Sequence, residues 1–494
     1  MMNYKSTRDT RENPVCVSSA EAIKQGLAPD GGLYIPEGFP MLAKGDFDAL
    51  MNMNYAERAA FILGLYLDDY NKDALLEACR AAYSEESFPG GPAPIHTLRD
   101  GVHALELWHG PTAAFKDMAL QIMPRLLSLA LRMTGEKRTA HILVATSGDT
   151  GKAALEGYKD VDGVKITVFF PVDGVSTMQK LQMQTTIGSN VYVAAVRGNF
   201  DDTQNGVKSI FSDKKLAEKA NENGFFYGSA NSINWGRLAP QIVYYISVYC
   251  DLVKSGEIVF GDKVNICVPT GNFGNIFAAY IASLMGLPVG RFIVASNSNN
   301  VLTDFVNTGV YDRTREFYKT VSPSMDILIS SNLERLLSVL GGAEITSELM
   351  TELKENGRYT APDGLMKKIR EKFSAYYMDE DETLGAIHDV FVDENYLIDT
   401  HTAVGYGSVL KYRAESGDMT PVILASTASP YKFAPAVSEA VGVKQTDDVF
   451  AGLEALSAAT GTPIPAPLSK VKGMAVRFDK VIDKDEMAVL TFSV

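Results

Sequence analysis

The sequence predicts an α/β protein built on open parallel sheets. Short apolar runs alternate with helical segments: HILVAT is followed by TGKAALEGYKD, KITVFFP by STMQKLQMQTT, and VNICVPT by NIFAAYIASLMG. Runs that are apolar throughout are typical of strands buried on both faces, as in parallel sheets covered by helices. Strands that alternate with helices indicate the α/β class. In such folds ligands bind at the carboxyl ends of the strands, so the loops that follow the strands are the candidate sites.

The elements fall into three stretches. Before residue 95, the amphipathic segments YAERAAFILGLYLDDY and NKDALLEACRAAY predict helices, and SFPGGPAPIHTL predicts a loop or domain boundary. The alternation of strand and helix begins after this loop and includes VYVAAV, RFIVAS and, near the end, PVILAST. Residues 314–394 have a helical and charged pattern, and we interpret them as insertions in the last domain.

The composition limits the classes of function. Of 494 residues, 46% are hydrophobic and 21% charged, as in soluble globular proteins. The formal net charge of −14 disfavours nucleic acid and anionic membranes as partners, because both attract clustered lysine and arginine. The N-terminus MMNYKSTRDT lacks the apolar run of a signal peptide, and no stretch approaches the ~20 apolar residues of a membrane span. We therefore expect a cytoplasmic protein that binds neither nucleic acid nor membrane.

The cysteines and histidines do not suggest a metal site. Cys16, Cys79, Cys250 and Cys267 are scattered without Cys-x-x-Cys spacing, and the six histidines include no His-Glu-x-x-His pair. We expect reduced thiols, no disulfide framework and no bound metal.

Two glycine-containing loops at strand ends are candidate anion sites. TSGDTG follows the strand HILVA, and PTGNFGN follows VNICV. Such turns expose backbone N–H groups and the positive end of a helix dipole, which favours a phosphate. The alternatives are an ordinary helix cap by Ser147 or Asp149 in the first loop and a tight turn in the second. The first loop is not a Walker A sequence, because Ala153 follows Lys152 where that motif needs serine or threonine.

Two further polar segments are candidates when combined with these loops. STASPYKF follows the strand PVILA, and SANSINWGRLAPQ precedes a long apolar helix. Taken alone, the first is equally explained as a polar loop. In the second, Asn234 is equally explained as a helix cap and Arg237 as a solvated residue of the first turn.

Lys116 has unusual surroundings for a lysine. It lies in WHGPTAAFKDMAL, where Gly110 and Pro111 indicate a bend and Asp117 is the only charged residue beside it. A surface lysine next to an aspartate is one interpretation. The other is an amine desolvated by apolar neighbours, which lowers its pKa. A neutral amine suits Schiff-base chemistry, and together with a phosphate cradle it is the minimum that pyridoxal phosphate requires.

The motifs ELWHGPTAAFKD, ATSGDTG, NSINWGRLAPQ and PTGNFGN resemble those of the threonine synthase family, as does the N-terminal stretch STRDTRENPVCVSSAEAIKQGLAPDGGLYIPE. The resemblance covers nearly the whole chain. It implies the tryptophan synthase β-like, pyridoxal-phosphate-dependent fold, preceded by an N-terminal domain of the threonine synthase type. It also implies the family's carbon–oxygen lyase reaction, the last step of threonine biosynthesis, in which O-phospho-L-homoserine and water give L-threonine and phosphate. On this basis we predict an N-terminal region over 1–95 and a catalytic region over 96–494, with a smaller subdomain over roughly 130–225.

The same resemblance implies the residues that hold the cofactor. Lys116 is implied to form the Schiff base, and Thr427, or a neighbouring hydroxyl, to hydrogen-bond the pyridine nitrogen. The loop implied to hold the cofactor phosphate consists of Gly271, Asn272, Phe273, Gly274 and Asn275. There is one departure from the family pattern: where many members have His-Pro-x-Lys-Phe, this chain has SPYKF, so Ser429 replaces a histidine.

Substrate contacts are expected in two places, the first from the resemblance and the second from the cations and amide donors that a phosphate needs. The loop implied to face the amino-acid part of the substrate includes Ser147, Asp149 and Thr150. For the substrate phosphate the candidates are Arg237 with Asn231, Ser232 and Asn234, and the alternatives are Lys152 and Lys180.

Three other functions are alternatives to this reaction. One is a threonine or serine dehydratase-like lyase, the second a synthase-like protein that only cleaves phosphate, and the third a binding protein without catalysis. The long N-terminal region and the NSIN segment favour the synthase, while Lys116 and the complete GNFGN loop disfavour loss of catalysis. We expect a monomer or a small homo-oligomer.

Overall fold

The computed structural model describes residues 1–146, 148–172 and 175–494. The chain up to residue 94 forms an antiparallel pair of strands and four helices. These are β1 (Tyr4–Ser6), α1 (Ser19–Gln25), β2 (Tyr34–Pro36), α2 (Lys44–Leu50), α3 (Tyr55–Gly64) and α4 (Lys72–Ala82). The two amphipathic segments predicted as helices are α3 and α4, and each begins at an asparagine whose side chain accepts backbone N–H groups. Tyr4 and Tyr66 pack edge-on against Trp235, each with ring centroids 5.5 Å away, and so join this part to the rest of the chain.

Residues 95–229 contain the start of one large sheet and most of another. The elements are β3 (Ile95–Leu98), β4 (Val102–Glu106), α5 (Asp117–Leu120), α6 (Met123–Met133), β5 (Thr139–Ala145), α7 (Asp149–Tyr158), β6 (Val164–Pro171), α8 (Thr177–Gln184), β7 (Val191–Val196), α9 (Phe200–Ser212), α10 (Lys214–Glu222) and β8 (Phe225–Ser229). The apolar runs HILVAT and KITVFFP are the buried strands β5 and β6, as their composition predicts.

The remaining elements complete both sheets. They are α11 (Trp235–Ser255), β9 (Val264–Pro269), α12 (Gly274–Leu284), β10 (Val289–Ser296), α13 (Val301–Thr308), β11 (Val310–Asp312), α14 (Leu333–Asn356), β12 (Arg358–Thr360), α15 (Asp363–Arg370), β13 (Phe373–Tyr377), α16 (Glu380–Glu394), α17 (Thr400–Ser416), β14 (Val422–Ser426), α18 (Ala434–Ala440), α19 (Val449–Thr460), α20 (Ala466–Ser469), β15 (Val481–Ile482) and α21 (Met487–Ser493).

The two large sheets are parallel, and the predicted α/β class is confirmed. The six-stranded sheet has the order β13-β10-β9-β14-β4-β3, in which only β3 runs antiparallel to its neighbour. The five-stranded sheet has the order β15-β7-β6-β5-β8 with every pair parallel. Because β9, β14 and β4 are adjacent, the segments that follow them emerge at the same edge of the sheet. This brings together the PTGNFGN loop, the STASPYKF loop and Lys116.

Two strands lie where the sequence pattern does not suggest them. Residues 314–394 are mostly helical, as expected, but they also contain β13, which is a parallel edge strand of the six-stranded sheet rather than part of an insertion. The strand β15 comes from the C-terminal end of the chain and pairs with β7. The predicted domain boundaries stay a prediction.

The described residues contain neither a membrane-spanning helix nor a cluster of metal ligands. None of the helices in these residues has the length and apolar content needed to cross a bilayer. Within the same residues, no three or more His, Cys, Asp or Glu side chains are grouped to hold a metal ion. All four cysteines are free thiols, and only Cys16 is exposed.

Candidate active site

The segment that carries Lys116 is fixed by the loop that follows β14. The N–H of Phe115 donates to the carbonyl of Thr427 at 2.8 Å, and the N–H of Ser429 donates to the carbonyl of Ala113 at 3.1 Å. Ala113 has a left-handed backbone with φ 57°, which makes the bend before Lys116. Lys116 is therefore placed by two backbone hydrogen bonds between neighbouring strand ends.

The amine of Lys116 is buried, and the interpretation as a surface lysine is wrong. Its side chain is 14% exposed, and Nζ lies 3.3 Å from Oγ of Ser324 and 3.9 Å from Oδ2 of Asp149. Burial lowers the pKa of the Lys116 amine, while the Asp149 carboxylate opposes this shift. The sequence neighbour Asp117 faces Thr112 instead, accepting its N–H and its hydroxyl at 2.8 Å each, and burial raises the pKa of Asp117 to about 6.

The TSGDTG loop places Asp149 at the start of α7. Oδ1 of Asp149 lies 2.7 Å from Nζ of Lys432 and accepts a hydrogen bond from Nε2 of Gln179 at 2.9 Å. Although burial acts in the opposite direction, Lys432 and Lys116 hold the pKa of the Asp149 carboxyl well below its ordinary value. Its side chain therefore faces the two lysines and Gln179 and does not cap the helix.

The rest of this loop is held by Thr146. Its hydroxyl accepts the N–H groups of Gly148 at 3.0 Å and Gly151 at 3.1 Å. Thr150 is half-buried on the first turn of α7. Ser147, which the sequence predicts as a substrate contact, lies outside the described residues.

The PTGNFGN loop leads from β9 into α12 through a left-handed residue, Phe273, with φ 62°. No side chain of the described residues caps this helix, so the N–H groups of its first turn face the loop. Asn275 is buried: its Oδ1 accepts the hydroxyl of Tyr245, and its Nδ2 has no hydrogen-bond partner among the described atoms. A buried donor without a partner is costly, so this amide is a group that a ligand could engage.

Gly271 and Gly274 have different close neighbours in this loop. A Cβ at position 271 would lie 2.8 Å from the carbonyl oxygen of Ser324, whereas a Cβ at position 274 would lie 3.3 Å from Nδ2 of Asn332. Asn272 is exposed, and its carbonyl accepts both the backbone and the side-chain N–H of Asn332 at 3.0 Å. Both glycines are predicted to let a ligand approach the backbone, but position 271 lacks a side chain because the Ser324 segment packs against it.

In the segment before α11, Asn234 has a structural role, whereas Asn231 and Ser232 are more exposed. Oδ1 of Asn234 accepts the N–H of Gly236 at 2.8 Å, and its Nδ2 donates to the carbonyl of Ile23 at 2.9 Å. Asn234 is thus a helix cap, the alternative considered above, and both its polar atoms are engaged. Asn231 is exposed and Ser232 half-buried.

Arg237 is buried, so the interpretation as a solvated residue is wrong. Its Nη1 donates to the carbonyl of Ala230, and its Nε lacks a partner among the described atoms. Burial lowers the pKa of Arg237 to about 10, so it stays charged at neutral pH. Of the alternative cations, Lys152 is engaged with Glu156 at 2.5 Å and Thr186 at 2.9 Å, and Lys180 is half-buried.

Comparisons with known proteins agree over the full length of the chain. Three family models match: "Threonine synthase N terminus" over residues 3–83, "Pyridoxal-phosphate dependent enzyme" over 86–427 and "Threonine synthase, C-terminal" over 402–492. The threonine synthase of Schizosaccharomyces pombe is 37% identical over 472 residues, with 89% of each chain covered. The chain belongs to the threonine synthase family.

Two further relatives show the range of the family. A pyridoxal-phosphate-bound threonine synthase from Brucella melitensis has a similar structure, with a TM-score of 0.88, 35% identity and coverage of 100% of this chain and 98% of that one. The human protein "Threonine synthase-like 1" is 41% identical over 442 residues, which are 87% of this chain. This chain spans only 58% of the length of that human relative.

The threonine synthase family uses pyridoxal phosphate, and the residues of this chain fit that group. Lys116 supplies a buried amine, and the start of α12 beside it offers an uncapped helix terminus in the described chain together with the free amide of Asn275. Thr427 is 5% exposed at the end of β14, directly bonded to the Lys116 segment through its carbonyl. The chain therefore supplies a buried amine, an uncapped helix start among its described residues and a buried threonine, the groups that this cofactor needs.

Some residues of this candidate site could not be found from their sequence motifs alone. Lys432 is fully buried and bridges Asp149, the carbonyl of Thr112 at 3.0 Å and Oε1 of Gln182 at 3.2 Å. Its place within SPYKF, in a loop after a buried strand, is a signal that could have found it. Ser324 gave no such signal, because it lies in a polar stretch 208 positions from Lys116.

Proposed function

We propose that this chain is a threonine synthase that converts O-phospho-L-homoserine and water into L-threonine and phosphate. The observation that carries the proposal is the desolvated amine of Lys116, placed between an open helix terminus and a buried group of cations. Three buried cations, Lys116, Lys432 and Arg237, meet two buried carboxylates, Asp149 and Asp117, and burial raises the pKa of Asp117 to about 6. Such an excess of buried positive charge suits a site that receives two phosphate groups.

The cofactor side of the proposal follows the family assignment. Lys116 would hold pyridoxal phosphate covalently, residues 271–275 would hold its phosphate, and a hydroxyl at Thr427 would face its ring nitrogen. Two observations support this: the uncapped start of α12 and the amide of Asn275, which has no partner among the described atoms. When bound, the cofactor withdraws electrons from the substrate carbon that carries the amine.

The remaining steps, which are proton transfer and binding of the substrate, are assigned to residues of the chain. Lys116 takes the proton from Cα of the substrate and returns one later, a role for which its lowered pKa prepares it. Asp149, held by Lys432 and Gln179, keeps a negative charge beside this amine and fixes the loop whose Ser147 and Thr150 would face the amino-acid part. Arg237 would attract the substrate phosphate, on which charge grows as it leaves, with Asn231 and Ser232 near the entrance.

The test measures two products from the same sample. Purified protein with pyridoxal phosphate is given O-phospho-L-homoserine, and phosphate and threonine are quantified over time. Equal amounts of both support the proposal, and phosphate without threonine would identify instead a synthase-like protein that only cleaves phosphate. A keto acid formed from threonine or serine at comparable rate would identify a dehydratase.

A pair of lysine variants makes this test specific for the site. Lys116→Ala is expected to remove both products. Lys165→Ala serves as a matched control, since Lys165 is also partly buried but lies in β6, where its amine donates to the carbonyl of Val494 at 2.9 Å. Activity retained in Lys116→Ala would refute the proposal.

We further propose that the enzyme acts in the cytoplasm as a monomer or small homo-oligomer. The four free cysteines support the location, because reduced thiols are typical of that compartment. Light scattering of the purified protein measures the oligomeric state, and a large assembly would contradict this part.

A further inference from the structure

The segment 318–326 reaches the candidate site from a part of the chain to which the family resemblance assigns no role. Within it Ser324 makes two close approaches: its Oγ lies 3.3 Å from Nζ of Lys116, and its carbonyl oxygen would lie 2.8 Å from a Cβ at Gly271. The segment thus bridges the amine and the proposed phosphate loop. A side chain at position 271 would displace it.

The backbone of Ser324 is hydrogen-bonded to a buried histidine. The N–H of Ser324 donates to Nε2 of His401 at 3.1 Å, which requires that this nitrogen has no proton. The proton of the neutral ring is then on Nδ1, which donates to Oδ1 of Asp399 at 2.9 Å. Asp399 is fully buried and also accepts the backbone N–H of His401 at 2.8 Å, so the ring orientation is fixed.

The remainder of the segment is anchored independently of His401. Asp326 accepts the N–H of Thr320 at 3.0 Å and the side-chain amide of Asn297 at 2.8 Å. Glu380 accepts the N–H of Val321 at 2.9 Å. Because Asn297 directly follows β10 and Glu380 begins α16, the backbone of the segment stays anchored when one contact at Ser324 is removed.

We propose that Ser324 is a residue of the catalytic site whose hydroxyl accepts a hydrogen bond from the amine of Lys116, and that Asp399 and His401 are positioning residues that hold Ser324 there. The inference rests on the proposed function for the meaning of Lys116, but the contacts themselves do not depend on it. A hydroxyl that accepts from an ammonium group stabilises the charged form of that group. Ser324 therefore limits how far burial depresses the basicity of Lys116, and keeps an amine that can both take up and release a proton.

The test measures the basicity of Lys116 without any turnover. The full-length chain, freed of cofactor, is labelled with trace acetic anhydride at a series of pH values, and the Lys116 peptide is quantified by mass spectrometry. Ser324→Ala is expected to lower the pKa of this amine by roughly one unit, the size of a lost hydrogen bond to a charged group. Ser322→Ala is the matched control: Ser322 is a buried serine of the same segment, but its hydroxyl accepts from Asn297 at 2.9 Å instead. An unchanged pKa in Ser324→Ala, or an equal shift in Ser322→Ala, would overturn the inference.

Variants of His401 test the positioning role. His401→Asn withdraws the acceptor from the N–H of Ser324 and should lower the pKa of Lys116 as Ser324→Ala does, whereas His401→Gln, which can place an oxygen near the Nε2 position, should restore it. The double variant Ser324→Ala/His401→Asn should shift the pKa no further than Ser324→Ala alone, because the two act in series. Additive shifts, or a His401→Asn protein with reduced thermal stability but an unchanged Lys116 pKa, would show that His401 only stabilises the fold. A protein that made no threonine would contradict the proposed function and leave these measurements valid.

Discussion

Replacing Arg237 by alanine tests the proposed site of the substrate phosphate. Arg237 is 4% exposed and keeps its charge at neutral pH, because burial lowers its pKa only to about 10. One nitrogen donates to the carbonyl of Ala230, and Nε has no partner among the described atoms, so a donor remains for a ligand. Loss of a charge-assisted hydrogen bond costs about 1.5–3 kcal/mol, which corresponds to a fall in kcat/KM of roughly 10- to 150-fold.

The assay compares steady-state kinetics with cofactor binding. Arg237→Ala should raise KM for O-phospho-L-homoserine and lower kcat, since charge on the leaving phosphate grows during the reaction, while the visible absorbance of the cofactor stays intact. Arg237→Lys keeps the charge but not the planar fork, so its loss should be intermediate. Arg58→Ala is the matched control: Arg58 is equally buried but bonds Asp251 at 2.7 Å and the carbonyl of Leu50 at 2.8 Å, away from the site.

Two results would refute this reasoning. Unaltered kinetics in Arg237→Ala would place the phosphate elsewhere, with Lys180 as the next candidate because Lys152 is engaged with Glu156. Loss of the cofactor absorbance together with activity would show that Arg237 supports the fold of the site and does not bind substrate.

Three further predictions concern the cofactor and the fold. Borohydride reduction of the protein loaded with pyridoxal phosphate should label Lys116, and peptide mapping that located the label on another lysine would contradict the assignment. Gly274→Val should weaken pyridoxal phosphate binding more than it lowers the urea midpoint of unfolding. The added side chain would enter the proposed phosphate loop, where its Cβ would lie 3.3 Å from Nδ2 of Asn332. An unchanged dissociation constant for the cofactor would exclude this loop. His141 is buried and its pKa is lowered to about 3, so the unfolded chain takes up a proton first and the free energy of unfolding falls as the pH drops below about 6.5. Between pH 7 and 4.5 the parent should therefore lose about 2–3 kcal/mol more than His141→Asn in urea unfolding, and equal losses would refute the assignment of this proton.

The parallel strands could be predicted because their apolar sequences indicate that both faces are buried. Segments such as HILVAT and KITVFFP are apolar on both faces, and this pattern leaves no other place for them than the middle of a covered sheet. The strand β13, with the sequence FSAYY, is half-exposed at the sheet edge, and β15 has only two residues. Neither strand has an apolar run long enough to distinguish it from its helical and polar surroundings.

Some residues of the candidate site could likewise be predicted from the sequence, and others could not. Lys116 and the PTGNFGN loop could be predicted from the local sequence. Lys116 is an amine among apolar residues, and the loop has glycines at a helix start. The partner of Lys116 could not be predicted locally: Asp117 is adjacent in sequence but its carboxylate is bonded to Thr112, whereas Asp149 and Ser324 come from other elements. Such contacts depend on the order of strands in the sheets, which the pattern of apolar runs does not specify.

The distribution of charge links the fold to the proposed chemistry. Asp149 neutralises Lys432 at 2.7 Å but lies 3.9 Å from Lys116, so the carboxylate is mainly engaged with the lysine that remains fully buried. Lys116 is thereby left with a weak counter-ion and a single hydroxyl contact, and its pKa is lowered by burial, which is the state in which an amine can act as nucleophile and base. Without Lys432 the repulsion between the two ammonium groups would be lost, and the pKa of Lys116 would lie closer to that of an ordinary lysine. Lys432 thus keeps the pKa of Lys116 low in two ways: its positive charge disfavours a second one nearby, and it shares the Asp149 carboxylate, of which it holds the other oxygen.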